Sequence, residues 1–323
     1  MKLDPIPRGS LPSQYVGSSS VRRFWPGLII LLLGFLAMNS IFIADAFRGN
    51  TVDAENAGRL GDFVGGYVGC LFTLTSVVLL FYTFKQERDN FSLEGLEDRF
   101  FELIKIHREN VSEMGVGDRY GRRTFVWLMR EFREILIHVR RLNEIRKLDY
   151  SSEILFIVSY YCLFFGTGPN STRQLQATLE EIEELDKEFV SEIIKTLGDD
   201  EIKNSAKAKR QFPYTPFEGH QSRLGHYYRH LYQTVCLVHR SPLRINKYEY
   251  IKTLRAQLST HEQALLFVNA LTPMGRRWFD EELIFLYRFV KNIPGGFFDK
   301  TIEIDLMIYF PIGYFEFQEN KSK

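Results

Sequence analysis

Two long uncharged stretches near the N-terminus constrain this 323-residue chain more than any other feature. They cover residues 25–44 and 63–84. A helix rises about 1.5 Å per residue, so about twenty apolar residues cross the roughly 30 Å hydrocarbon layer of a bilayer. The sequence therefore predicts a transmembrane hairpin over residues 25–84, after a tail at 1–24. A cleaved signal peptide is the alternative for the first stretch, but its apolar part is too long.

The distribution of basic residues predicts how this hairpin is oriented. The tail before the first stretch holds four lysines and arginines, whereas the connection at residues 48–61 holds two, which Asp53 and Glu55 offset. Further basic residues lie after the second stretch. Because positive charge favours the cytoplasmic side, both termini and the domain at 85–323 are predicted to be cytoplasmic. The expected location is therefore a cytoplasmic membrane.

Small residues recur every four positions in the second predicted span, at Gly61, Gly65, Gly69 and Thr73. Helices in lipid associate where small residues let their backbones approach closely. The pattern predicts transmembrane packing, either against the first span of the same chain or against another copy. We expect a homo-oligomer in the bilayer.

The rest of the chain shows the three-and-four spacing of apolar residues that is typical of helices. The fold class is therefore mainly α, with a two-helix N-terminal transmembrane hairpin and then an α-helical cytoplasmic domain at 85–323. No proline separates the second span from the first helical pattern of this domain, so one helix is expected to continue through both.

Further elements of the domain are predicted from its sequence. Residues 154–165 are apolar but too few to cross a bilayer, so a buried core helix is predicted there, with an interfacial segment as the alternative. The remaining features are helices at 221–240, 247–271 and 280–292, a loop and candidate subdomain boundary near 198–219, and a short strand within 301–317.

Two segments of this domain carry opposite charge. Residues 122–147 contain eight lysines and arginines and three glutamates, whereas residues 180–192 contain seven acidic residues and one lysine. The two segments either pair with each other or have solvated faces. The alternative is that the basic helix contacts anionic lipid headgroups.

Polar residues at helical spacing form a candidate functional cluster. Arg255, Glu262 and Asn269 are seven residues apart, and Ser259 lies between them. Ser222, His226, Arg229 and Gln233 form a similar stripe on the preceding helix, next to His230. If the two helices face each other, these stripes form either a satisfied packing network or a pocket that senses a ligand or partner. The cluster consists of His226, Arg229, His230, Gln233, Arg255, Glu262 and Asn269.

Other chemistry is less well supported by the sequence. His226 and His230 share a helix face and could ligate a metal ion, but Arg229 lies beside them, and we predict neither a metal nor a cofactor. Arg255 and His261 have the spacing found in helical HEPN ribonucleases. His261 lies on the apolar stripe of its predicted helix, however, and Arg255 points elsewhere. No catalytic residue is assigned.

Several blocks of the chain resemble the putative phage abortive-infection proteins of bacteria, the AbiC-like group. The blocks are residues 61–66 with Gln86, residues 219–232, and residues 248–271. Where this chain has His261, the resemblance leads us to expect an aromatic residue. The resemblance implies a role in anti-phage defence, by arresting or killing the infected cell.

The leading hypothesis is thus a non-enzymatic, membrane-anchored defence effector. Its cytoplasmic domain would sense a phage-encoded or host trigger, and its anchors would then compromise the inner membrane. One alternative is a membrane-tethered HEPN-like ribonuclease or another toxin that targets nucleic acid, although no motif supports a nucleic-acid partner. The other is a membrane scaffold or sensor for a separately encoded effector.

Overall fold

The structure, a computed structural model, describes residues 29, 32–36, 54–117 and 119–319. It contains two compact units, one within residues 15–98 and the other within residues 99–323. The predicted tail at 1–24, most of the first span and part of the predicted connection lie outside the described residues. Most of the described residues are helical, as the sequence predicts.

A single helix of 60 residues runs from Ala54 to Glu113. It consists of α1, Ala54–Phe63, a π-helical turn, Val64–Val68, and α2, Gly69–Glu113. Among the described residues it is the one helix long and apolar enough to cross a membrane, and only 12% of its apolar window is buried. The expected continuation of the second apolar stretch beyond residue 84 is therefore confirmed.

The π-helical turn changes the prediction for the small-residue face. A π-turn bonds residues five apart, one more than an α-helix, so it shifts the register of the side chains after it. Gly61 precedes this turn, whereas Gly69 and Thr73 come after it. The turn therefore changes the angular spacing between Gly61 and the two later residues, so a spacing of four alone does not define where this face lies. Around Gly61 and Gly65 the surface is open within the described part of the chain, because no described atom lies within 4 Å of a Cβ atom added there.

The second unit begins with the end of α2 and a short antiparallel hairpin, β1, Gly115–Val116, and β2, Arg119–Tyr120. The next helices are α3, Arg123–Ile145; α4, Ser152–Phe165; α5, Thr172–Glu180; α6, Lys187–Gly198; α7, Asp200–Arg210; α8, Gln221–His239; α9, Lys247–Arg255; α10, Thr260–Leu271; α11, Arg277–Asp280; α12, Leu283–Leu286; and α13, Glu316–Glu319.

The core of this unit forms around α4, which is apolar on all sides. Ser151 caps the helix by accepting a hydrogen bond from the Ile154 amide, and every residue from Leu155 to Phe165 is buried. Helices α3 and α10 pack on it, and α6 packs on α3. The prediction of a buried core helix at residues 154–165 is therefore confirmed, and the interfacial alternative is wrong.

Four predicted elements are shorter or different in the structure. The predicted helix at 247–271 is two helices, because Ser259 starts α10 with a capping box. The acidic segment breaks between α5 and α6, where Asp186 caps the next helix. Of the predicted helix at 280–292, the structure contains only the short helix α12. Glu282, the residue before α12, has a left-handed backbone conformation. Residues 301–317 contain a 3₁₀ turn, Leu306–Ile308, and no strand.

The candidate boundary near 198–219 does not divide the unit. It contains α7 and a loop that returns to the core, where the side chain of Phe217 is fully buried. The loop approaches the end of α4 so closely that a Cβ atom on Gly219 would lie 2.0 Å from the Phe165 carbonyl oxygen. Glycine is therefore required there, and it has a positive φ of 91°.

Candidate functional site

A cleft of about 410 Å³ lies where α2 ends, between the β-hairpin and the first turns of α8. Asn110 and Glu113 line it from α2, Tyr120 from the hairpin, and Ser222 and His226 from α8. The Tyr120 ring lies across Gly115, since a Cβ atom on that glycine would be 2.5 Å from the ring. Polar and aromatic groups from three elements thus converge on one concave surface, as is typical of a binding site.

Arg223 connects the wall of this cleft to a buried carboxylate. Its Nε atom donates to the Gly115 carbonyl oxygen at 2.7 Å, and its Nη1 atom lies 3.3 Å from Nδ1 of His220. The other ring nitrogen of His220 lies 2.9 Å from Oε2 of Glu131. A chain of three polar side chains therefore leads from the cleft into the core.

Glu131 is fully buried on α3 and is held by further donors. The Tyr214 hydroxyl donates to it at 2.6 Å, and the Phe217 amide donates at 2.7 Å. Burial and the nearby Glu131 carboxylate raise the pKa of Tyr214. These donors offset the cost of burying a charge. The sequence reasoning missed Glu131, although an acidic residue between the buried Leu128 and Ile135 of one helix is a signal that could have found it.

Residues of α8 beside the cleft also pack against the end of α2. Tyr227 lines the cleft, and its ring centroid lies 5.4 Å from that of His107 on α2. The His107 ring also stacks on His230 at 6.1 Å. His230 in turn contacts the Leu103 carbonyl oxygen at 2.9 Å. The contact between α2 and α8 is thus largely aromatic.

His107 is a buried polar side chain whose loss of contact with water is not offset by hydrogen bonds to the described residues. It is 1% exposed, and neither ring nitrogen has a hydrogen-bond partner among the described residues. Burial, followed by the charges of His230 and Arg122, lowers its pKa to about 4. The ring is therefore neutral at physiological pH. An unpartnered buried group of this kind destabilises its surroundings by about 1–3 kcal/mol, so this contact is weaker than an apolar one would be.

The two predicted polar stripes have different environments. On α8, Ser222, His226, Arg229 and Gln233 are exposed, and the first two of these border the cleft. Arg255, Glu262 and Asn269 are buried. The stripes therefore do not face each other, and the structure does not bring them together in the shared pocket that was one of the two alternatives. Its geometry assumed one helix over residues 247–271, whereas the helix ends before Ser259 and α10 begins after it in a different register.

The three buried members of the predicted cluster each hold a different part of the core. Two Arg255 hydrogen bonds go from Nη1 to the carbonyl oxygens of Tyr287 and Arg288, at 2.7 and 3.1 Å. Asn269 donates to the Tyr160 hydroxyl at 2.8 Å. Glu262 accepts a bond from the Ser259 amide at 2.7 Å and one from the Tyr227 hydroxyl at 3.1 Å. Glu262 thus connects α10 to the wall of the cleft.

Residues 219–298 match the family model of the putative phage abortive infection proteins. The resemblance found in the sequence is confirmed by this match. No curated protein and no solved structure matches the chain. The abortive infection match covers helices α8 to α12, and therefore the α8 wall of the cleft, His220 and Glu262. The long apolar helix and α3 lie outside the matched residues.

Within the segment matched by the abortive infection model, the residues of the ribonuclease hypothesis are not brought together. His261 is half-buried and packs edge-on against Phe297 at 5.3 Å. Burial, followed by the charges of Arg133 and Arg130, lowers its pKa. Arg255 is directed to the carbonyl groups of Tyr287 and Arg288. Among the described residues, no group of three or more His, Cys, Asp and Glu side chains could hold a metal ion.

Proposed function

We propose that this chain is a membrane-anchored effector of abortive infection that senses a phage-encoded or host trigger in its helical unit. The observation that carries the proposal is the continuity of the 60-residue helix. Its apolar part is largely exposed, and its last turns pack against α8, which belongs to the segment that matches the abortive infection model. One continuous helix therefore contains both a candidate membrane span and part of the candidate site.

The cleft is the proposed site of the trigger. A molecule bound there would contact Asn110 and Glu113 at the end of α2 and Ser222 and His226 on α8. Because the α2–α8 contact contains the uncompensated His107, a small differential affinity would be sufficient to change how the two helices pack. In this proposal the change reaches the anchor through α2, because α2 contributes both to the cleft and to the apolar stretch.

Action at or through the inner membrane requires more than one chain, because two spans cannot enclose a water-filled path. We propose a homo-oligomer in the bilayer with Gly61, Gly65, Gly69 and Thr73 as its transmembrane packing residues. The open surface around Gly61 and Gly65 supports close approach of another helix. Replacing Gly65 and Gly69 by leucine would add bulk there without reducing hydropathy. We expect less crosslinked oligomer and lost protection, whereas a stable, monomeric and protective variant would contradict this part of the proposal.

The defence role is tested by challenging expressing cells with phage while a dye reports the membrane potential. Wild type should protect the culture and lose potential only after infection. The double variant Ser222→Ala/His226→Ala alters the cleft through two exposed side chains, so it should fold and fail to protect. Gln233→Ala is the matched control, because Gln233 is exposed on the same helix and does not line the cleft. Full protection by the double variant would contradict a sensing cleft.

The same culture distinguishes the alternatives. Protection with an intact membrane potential would favour a tethered ribonuclease or a scaffold for a separate effector. Reporter fusions test the anchor itself: we expect a fusion at Asn50 to lie outside the inner membrane and one after Gln86 to lie inside. A cytoplasmic reporter at Asn50 would contradict the proposed hairpin.

A further inference from the structure

Helix α3 is basic, and only some of its arginines contact carboxylate or carbonyl groups of the described residues. Several of its arginines have partners. Arg122, just before the start of α3, donates to the Gln257 carbonyl oxygen at 2.8 Å. Arg133 pairs with Glu303 at 2.7 Å, and Arg140 donates to the Glu303 carbonyl oxygen at 3.0 Å.

Pairing with the acidic segment accounts for one more arginine. Arg146, just after the end of α3, contacts Asp186, Glu188 and Glu192 at 3.3, 2.6 and 2.9 Å. The sequence prediction that the basic and acidic segments pair is therefore supported, but only at this end of the helix. The remaining arginines of α3 need another explanation.

Three of these arginines, Arg123, Arg130 and Arg141, are exposed and have no carboxylate within 4.0 Å among the described residues. They are seven and eleven residues apart. At 100° per residue, positions with these spacings fall within about 20° of one line along the helix. The three guanidinium groups therefore form a row that is about 27 Å long, calculated at 1.5 Å per residue.

Two cations from α7 meet this row at Glu134, which is eleven residues after Arg123 and therefore lies near the same line along α3. Lys209 and Arg210 contact the two carboxylate oxygens of Glu134 at 2.9 and 2.6 Å. Glu134 is buried, whereas Lys209 is exposed and Arg210 is partly exposed. Beside them the Arg130 guanidinium lies 4.7 Å from the Trp127 ring centroid. We call Arg123, Arg130, Arg141, Lys209 and Arg210 the basic face.

We propose that the basic face binds the phosphate backbone of a nucleic acid. Arginine forms two parallel hydrogen bonds to a phosphate group. Several arginines without a carboxylate partner along one side of a helix provide donors for more than one phosphate of a polymer. The whole chain has a net charge of only +1. The face is therefore a local concentration of charge and does not follow from a basic composition.

A lipid surface fits the face less well. Helices that lie in a membrane interface expose a broad apolar side next to their cations. The apolar side of α3 is buried in the core, and the exposed large apolar residues of α3 are two isolated isoleucines, Ile137 at 45% and Ile145 at 66%. The observations therefore favour a soluble polyanion over anionic headgroups.

The test is fluorescence anisotropy with the full chain in nonionic detergent and a labelled single-stranded RNA of about 20 nucleotides and mixed sequence. Each phosphate contact contributes about 0.7 to the slope of log affinity against log salt. With five contacts, affinity should fall about 100-fold between about 50 and 200 mM salt. The variant Arg123→Gln/Arg130→Gln/Arg141→Gln should reduce this salt slope by about 2 and weaken binding at least about tenfold.

The matched control is Arg173→Gln/Lys195→Gln/Lys252→Gln, which removes the same charge from exposed positions outside the face. It should retain most of the affinity. Equal losses in both variants would mean that only net charge matters and would overturn the proposal, as would undetectable RNA binding by wild type. So would an RNA affinity that is unaffected by the basic-face variant while its binding to phosphatidylglycerol vesicles is lost.

Discussion

The polar stripe on α8 and the polar residues of α9 and α10 show how one sequence pattern can have two different outcomes. Both sets have polar side chains at helical spacing. Ser222, His226, Arg229 and Gln233 are exposed on α8, whereas Arg255, Glu262 and Asn269 are buried and hydrogen-bonded. The comparison teaches that spacing identifies a helix face but does not reveal what the face contacts.

The buried polar groups hold helices in place, and the exposed ones are available to a ligand. Substitution should separate the two roles. Substitutions at the buried positions should change the stability of the whole unit. Substitutions at the exposed positions should change sensing and have little effect on stability. Variants at four positions test this distinction, from the largest expected effect to the smallest.

The largest effect is expected at Glu131. Glu131→Ala removes the acceptor for the Tyr214 hydroxyl and the Phe217 amide and leaves His220 without its carboxylate. Breaking such a buried network destabilises a protein by about 3–5 kcal/mol. Guanidinium unfolding of the full chain in detergent, followed by tryptophan fluorescence, measures the loss. Glu144→Ala, an exposed glutamate on the same helix, should change the midpoint little, and equal effects would contradict the distinction.

His107 should make stability depend on pH. Its pKa is lowered to about 4 in the folded chain, whereas an unfolded histidine titrates near 6.5. As pH falls through 6.5 the unfolded state gains a proton that the folded state does not, so stability decreases until pH is about 4. The full loss is about 3 kcal/mol. The groups that face this ring are His230, Tyr227 and Arg122.

His107→Phe should remove this component, since the phenyl ring cannot be protonated. Unfolding midpoints at pH 7 and pH 4.5 should then differ less in the variant than in wild type. His226→Ala, which removes an exposed histidine from α8, should leave the pH dependence unchanged. A variant that keeps the wild-type dependence would show that His107 is not the group responsible.

A smaller loss of stability is expected when Glu262 is replaced, because one of its two interactions is the capping box within its own helix. Glu262→Ala removes one half of the capping box and the acceptor for Tyr227. Loss of the cap and of a buried acceptor costs about 2 kcal/mol. Glu262→Gln retains an acceptor at the same position, so it should restore most of the stability. If both variants unfold at the wild-type midpoint, the buried set does not anchor the fold.

The smallest effect is expected at Arg229. Its side chain is exposed and, within the described residues, bonds only the Gly225 carbonyl oxygen of its own helix, at 3.0 Å. Arg229→Ala should change stability by less than about 0.5 kcal/mol. It should also retain protection from phage, because Arg229 does not line the cleft. Lost protection in a folded Arg229→Ala protein would show that the sensing surface extends along α8.

Local regularity explains what the sequence could predict. The continuous apolar run at residues 154–165 became a buried helix, and the absence of proline after residue 84 allowed one long helix to continue to Glu113. The blocks at 219–232 and 248–271 carried the family resemblance, which the match to residues 219–298 confirms. Each of these depends on residues that are close together in the chain.

The tertiary structure decided which polar groups meet. Periodicity over residues 247–271 could not show that Ser259 ends one helix pattern and starts another, because the capping bonds compete with continuation of the helix. Nor could it pair Glu131 with His220, or show that Arg133 of α3 has a carboxylate partner whereas, among the described residues, Arg123, Arg130 and Arg141 have none. Hydropathy and spacing are properties of short segments, whereas a polar side chain is satisfied by whatever the fold places beside it.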